Sequence, residues 1–112
     1  MQRIAVVGSR NITAFDLSPY IPPDCGLIVS GGARGIDTIA EQYAAAHKIE
    51  TLVIRPDYER YGRAAPIRRN DVIVDHADTV LAVWDGESRG TKYTIDYARK
   101  TGKTVQVITI TK

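Results

Sequence analysis

The chain has 112 residues, 44% hydrophobic and 25% charged, with a formal net charge of +2. This is ordinary globular composition near the commonest domain size, so one domain over 1–112 is expected, and the charge is too small to argue for nucleic acid by itself. No apolar run is long enough to span a bilayer and Met1-Gln2-Arg3 enters a strand-like run without a signal-peptide core, which points to a cytoplasmic protein with no membrane partner; Cys25, standing alone, excludes an internal disulfide.

Arg3 to Val7 reads as a buried strand ending in the polar turn Gly8-Ser9-Arg10. Asn11 to Tyr20 is expected to hold a short helix capped by Thr13 and closed by Pro19, Pro22 and Pro23. Gly26 to Val29 is a second strand, with Cys25 as a small buried hydrophobe at its start. It leads into Ser30-Gly31-Gly32-Ala33-Arg34-Gly35-Ile36-Asp37-Thr38, a strand, glycine-rich turn and helix N-terminus. The helix runs to about His47, with Ile36, Ile39, Ala40, Tyr43, Ala44 and His47 on one apolar stripe and Glu41 and Gln42 facing away.

Glu50 to Ile54 is a third strand. Arg55 to Ala65 reads as irregular, rich in arginine and carrying Tyr58 and Tyr61; Pro66 suits the first position of a helix to about Asp75. Thr79 to Val83 is a fourth strand, ended by Trp84-Asp85-Gly86. The turn Glu87-Ser88-Arg89-Gly90-Thr91 then opens a helix to about Lys100 that stops at Gly102, and Thr104 to Ile110 is a fifth strand.

Five strands alternating with helices imply right-handed crossovers and a mainly parallel sheet, hence an α/β, Rossmann-like three-layer sandwich of strand order 3-2-1-4-5. Such sheets bind ligands outside the carboxyl ends of the strands, between the first and fourth. The turns at Gly8-Ser9-Arg10, Ser30-Gly31-Gly32 and Trp84-Asp85-Gly86 all follow strands, so they should share that edge.

A helix N-terminus behind glycines attracts anions, because its first N–H groups lack partners and the backbone can be closely approached. Gly31, Gly32, Arg34 and Gly35 fit this, with Ser30 before them and Asp37, in the first turn, in a structural role. Arg89, Gly90 and Thr91 form a second such junction, and Ser9 and Arg10 complete the edge. Of the run Arg68-Arg69-Asn70, a solvated charged face or a group pointing into the cleft, at least one residue is expected to reach the ligand from the third helix, Arg68 and Asn70 being the choice, arginine suiting phosphate through its planar fork.

Asp85, at a strand's carboxyl end, is a candidate to bind a ribose hydroxyl or act as a base, with Glu87 as another acidic candidate. Trp84, Tyr58 and Tyr61 are aromatics on which a base could stack, packing being the competing role for each. Gly8 is a single glycine where a dinucleotide fingerprint needs three, and Gly102-Lys103-Thr104 imitates a P-loop but has Tyr97 in place of its first glycine. No cofactor and no metal is therefore expected.

Four blocks in order, Val7-Gly8-Ser9-Arg10, Ser30 to Asp37, Tyr61 to Asn70 and Arg89-Gly90-Thr91, resemble the YspA, or cpYpsA-related, branch of the SLOG superfamily over nearly the whole chain. That superfamily includes the DprA proteins, whose matching turn implies single-stranded DNA binding, and the Lonely-guy phosphoribohydrolases, which cleave a base from a nucleotide. The resemblance to the latter implies a catalytic glutamate where this chain has Thr94, and a glycine pair where it has Ser88-Arg89. Binding of a nucleotide or nucleotide-derived phosphate ligand is thus the leading expectation. DprA-like DNA binding is the alternative, and N-glycosidic hydrolysis by Asp85 or Glu87 a weaker third. A homodimer face at Tyr93 and Tyr97 is a further expectation.

Overall fold

The computed structural model describes residues 1–110. Five strands, β1 (Gln2–Gly8), β2 (Cys25–Ser30), β3 (Glu50–Val53), β4 (Thr79–Trp84) and β5 (Thr104–Thr109), form one parallel sheet of order β3-β2-β1-β4-β5. β1 lies at its centre, with Ala5 opposite Val29 on one side and Val80 on the other. That position accounts for the unbroken buried run Ile4 to Val7, which both faces of a covered parallel sheet demand.

Helix α1 (Ile36–Ala46) covers one face together with the segment 11–24, burying Ile12, Leu17, Ile21, Ile28 and Leu81. The short α2 (Tyr58–Tyr61) and a 3-10 turn, Gly62–Ala64, lead into α3 (Ala65–Asp75). This helix and α4 (Arg89–Lys100) cover the opposite face over Val7, Val29, Val80 and Ala82. The result is the expected Rossmann-like three-layer sandwich, and Cys25 is buried as expected.

Local readings fared less well where side chains compete with the backbone. The Asn11 to Tyr20 segment forms no α-helix and Thr13 caps none: Asp16 accepts from both the N–H and the hydroxyl of Ser18, and the chain is anchored as an irregular strap by Leu17 and Ile21. Conversely Arg55 to Ala65 is not all irregular, because the Asp57 carboxylate accepts from the Arg60 N–H and nucleates α2. His47 falls just beyond α1 and is exposed, its ring stacked 3.9 Å from that of Tyr43. Glu41 turns inward to accept a 3.0 Å hydrogen bond from the buried Ser30 hydroxyl.

Candidate ligand-binding cleft

The strands of a parallel sheet all run the same way, so the turns after β1, β2 and β4 gather at its carboxyl edge. There they enclose a cleft of about 360 Å³, lined by Gly8, Ser9 and Arg10 after β1, Ala33 and Asp37 at the start of α1, Asp85 and Ser88 after β4, and Gly90 and Thr91 opening α4. Asn70 and Arg69 of α3 close it from the side. A second lobe of about 300 Å³ adjoins it, sharing Arg10, Ala33 and Arg69 and bounded by Gly31, Gly32, Arg34, Pro56 and Tyr58.

The arginine that α3 turns into the cleft is Arg69. Successive helical residues are about 100° apart, so the face that buries Ala65 and Ile73 also carries Arg69 and leaves the expected ligand Arg68 exposed outside both lobes. The sequence leaves Arg68 and Arg69 as alternatives and favours Arg68; the i, i+4, i+8 spacing of Ala65, Arg69 and Ile73 is the signal that selects Arg69. Arg69 is 8% exposed, with Nε donating to the Pro66 carbonyl and to Asn70 Oδ1 and Nη1 donating to the Gly31 carbonyl. Nη2 has no partner among the described residues. Burial holds the Arg69 pKa below its usual value, Asp37 opposes that shift and the neighbouring Arg10 adds to it. Neither Arg10 nor Arg69 forms an ion pair among the described residues, and both line both lobes.

Asp37 is buried at the second position of α1, where its Oδ2 accepts from the Ala33 N–H at 3.1 Å and so braces the glycine turn. Burial pushes its carboxyl up to about 6; the Ala33 N–H and Arg69 pull it down, and Glu41 raises it further. A Cβ at Gly31 would stand 2.7 Å from Arg69 Nη1 and 2.9 Å from Asp37 Oδ2, so a larger residue there has to displace one of these side chains. Gly35 lies behind the cleft wall, at φ +78° against the Ser9 and Arg10 carbonyls.

Asp85 is committed to its own turn. Its Oδ1 accepts from the N–H groups of Glu87 and Ser88 at 2.9 and 2.8 Å, and these bonds hold its carboxyl below the usual range. Its own N–H donates to Ser9 Oγ at 3.1 Å, which ties the β1 and β4 turns together. Thr94, one turn into α4, lines the cleft with its hydroxyl donating to the Gly90 carbonyl.

Trp84, Glu87 and Arg89 do not line either lobe. They border a separate groove with Lys92, Tyr93 and Asp96. Strand alternation sends Trp84 to the α4 side of the sheet, where its indole N–H donates to the Ser88 carbonyl at 2.9 Å. Ser30 is wholly buried beneath the turn and serves Glu41. Tyr61 lies outside the lobes with Arg60 stacked 5.3 Å above it, whereas Tyr58 lines the smaller one. Tyr93 and Tyr97 are half-buried and bond Asp71 and Asp75, spending their hydroxyls on joining α4 to α3.

A parallel Rossmann-like sheet with a polar cleft at its switch point defines the class. The chain belongs to the YspA, cpYpsA-related SLOG family, whose model matches residues 23–61. It is 34% identical to the Gene 61 protein of Mycobacterium phage D29, over 91% of this chain and 92% of that protein. It is also 37% identical over 46 residues to an uncharacterized SPbeta prophage-derived protein, YoqJ, of Bacillus subtilis (strain 168), a match that covers 38% of this chain and 27% of that one. Among solved structures it resembles DNA processing protein A (DprA) from Streptococcus pneumoniae, with a TM-score of 0.72 at 20% identity. That match covers 95% of this chain and 50% of the DprA chain, and it shows a shared fold. Among the described residues, no helix is long and apolar enough to cross a membrane.

Proposed function

We propose that the cleft binds a nucleotide or nucleotide-derived ligand through its phosphate. The observation that carries this reading is the pair Arg10 and Arg69, cations without an ion-pair partner among the described residues, beside the backbone of Gly31 to Ala33. Burial and the nearby Arg10 disfavour the Arg69 charge while Asp37 favours it, and a phosphate would add to the favourable side while matching the guanidinium fork. Gly90 and Thr91 give the ligand a second wall in which the α4 N-terminus favours negative charge. Asp85, held as an anion, suits an acceptor of a ribose hydroxyl better than a proton donor, so the geometry gives hydrolysis no positive support. Isothermal titration with a nucleotide panel, ADP-ribose derivatives included, should give saturable heat. A flat titration across the panel sinks the reading.

A second reading, binding of single-stranded DNA, draws on the DprA-like fold and on the exposed Tyr58 and Tyr61 among Arg55, Arg60 and Arg63. Aromatic rings among cations are the means by which strands are held without sequence preference. It predicts retardation of oligonucleotides at low salt that weakens steeply as salt rises.

A further inference from the structure

Resting on the nucleotide reading above, we infer that the ligand is two nucleosides joined by a diphosphate bridge, one in each lobe. The two lobes are separate spaces of about 360 and 300 Å³ that meet at Arg10, Ala33 and Arg69. Each alone is at the low end for a ligand site, and a mononucleotide with its phosphate at the junction leaves the other lobe to water. Two cations belong to both lobes: Arg69, more than nine-tenths buried, and Arg10, near enough to lower the Arg69 pKa, while Arg34 borders the smaller lobe alone. A bridging diphosphate carries one negative charge on each of its two phosphoryl groups, to set against those two cations.

The far lobe is furnished for a base. Tyr58 lines it and is 60% exposed, with no stacking or hydrogen-bonding partner among the described residues. Its backbone is nonetheless fixed, because Asp57 accepts from the Arg60 N–H and starts α2 at Tyr58 itself. Pro56 borders the same space, so an aromatic ring entering it meets apolar surface beside the phenol. In the near lobe the polar groups converge instead, Asp85 and Thr91 for a ribose and Asn70 for a base edge.

The test compares adenosine monophosphate, diadenosine diphosphate and a short oligoadenylate by isothermal titration, on the intact chain and on Tyr58→Ala. The dinucleoside should bind at least about tenfold tighter than the monophosphate, and Tyr58→Ala should weaken it by about 5- to 150-fold while leaving the monophosphate unchanged, the range expected for one stacked base. Circular dichroism confirms that the variant is folded. Equal affinity for the monophosphate and the dinucleoside, or equal weakening of both by Tyr58→Ala, overturns the two-lobe assignment and leaves the nucleotide reading standing. An oligoadenylate binding as tightly as the dinucleoside overturns it in favour of a nucleic-acid strand. No binding of any of the three removes the nucleotide reading and the inference with it.

Discussion

Arg69 Nη1 donates to the carbonyl of Gly31, thirty-eight positions earlier, and so fastens helix α3 to the turn that follows β2. The same guanidinium holds the Pro66 carbonyl and Asn70 Oδ1, and a lysine cannot serve three acceptors in those directions. Arg69→Ala should therefore cost about 2–3 kcal/mol in denaturant unfolding, the scale of lost hydrogen bonds to a charged group, and abolish measurable nucleotide binding. Arg68→Ala, one residue away and exposed, should stay within about 0.5 kcal/mol of the wild type and bind normally. Equal effects at the two positions would exclude the assignment of Arg69 to the cleft.

Two glycines at the edge separate structure from binding. At Gly35 the backbone has φ +78° and ψ −128°, and a Cβ would meet the Ser9 and Arg10 carbonyl oxygens at 2.6 Å. Gly35→Ala should cost about 2–4 kcal/mol, since neither backbone can yield without opening the β1 turn. At Gly90 a Cβ meets nothing within 4 Å, and alanine favours the helix by up to about 1 kcal/mol. Gly90→Ala should keep or raise the melting temperature yet weaken ligand affinity, because the methyl stands in the cleft where a phosphate approaches the backbone.

The strand order was legible because the central β-branched runs, above all Ile4 to Val7, had to be buried on both faces, and because turn residues followed the runs in one direction. The clustering of the Ser9, Gly31 and Gly90 turns follows from that topology alone. What escaped was rotational phase: Arg68 and Arg69 are neighbours in sequence but about 100° apart on α3, and only packing against the sheet decides which enters. Trp84 was misjudged for a related reason, since alternation along β4 assigns it to the α4 face. The Asn11 to Tyr20 strap was unreadable as such because Thr13 suits a helix cap and Pro19 a helix stop, while the Asp16 to Ser18 bonds that replace the helix are a local competition.

The Asp85 turn should behave as a brace for the cleft. Asp85→Asn retains an oxygen to accept from the Glu87 and Ser88 N–H groups, whereas Asp85→Ala leaves both without an acceptor. The melting temperature should consequently fall more for alanine than for asparagine. Hydrogen exchange should accelerate at Ser88 and at the first turn of α4 in the alanine variant, with β5 protection unchanged. A uniform acceleration across the sheet would contradict this local role.

Asp37 makes the cleft sensitive to pH. Its folded pKa of about 6 lies above the unfolded value of 3.8, so its contribution to stability is fully present below about pH 4 and is lost as pH rises through 6. The shift of about two units corresponds to roughly 3 kcal/mol. The Arg3–Asp78 pair works in a different window, because the Arg3 guanidinium pulls Asp78 down to about 2 and that contribution is lost only as pH falls below about 4. Between pH 4 and 6 the slope should thus belong mainly to Asp37, and Asp37→Asn, which can still accept from the Ala33 N–H, should flatten it. The charges that face Asp37 are Arg69 from α3 and Glu41 from its own helix. Ionising Asp37 offsets the Arg69 charge, so nucleotide affinity in the wild type should rise as pH is lowered from 7 to 5 and should be less pH-dependent in Asp37→Asn. Titrations at the two pH values, with a ligand whose own phosphate charge is constant over that range, measure this directly.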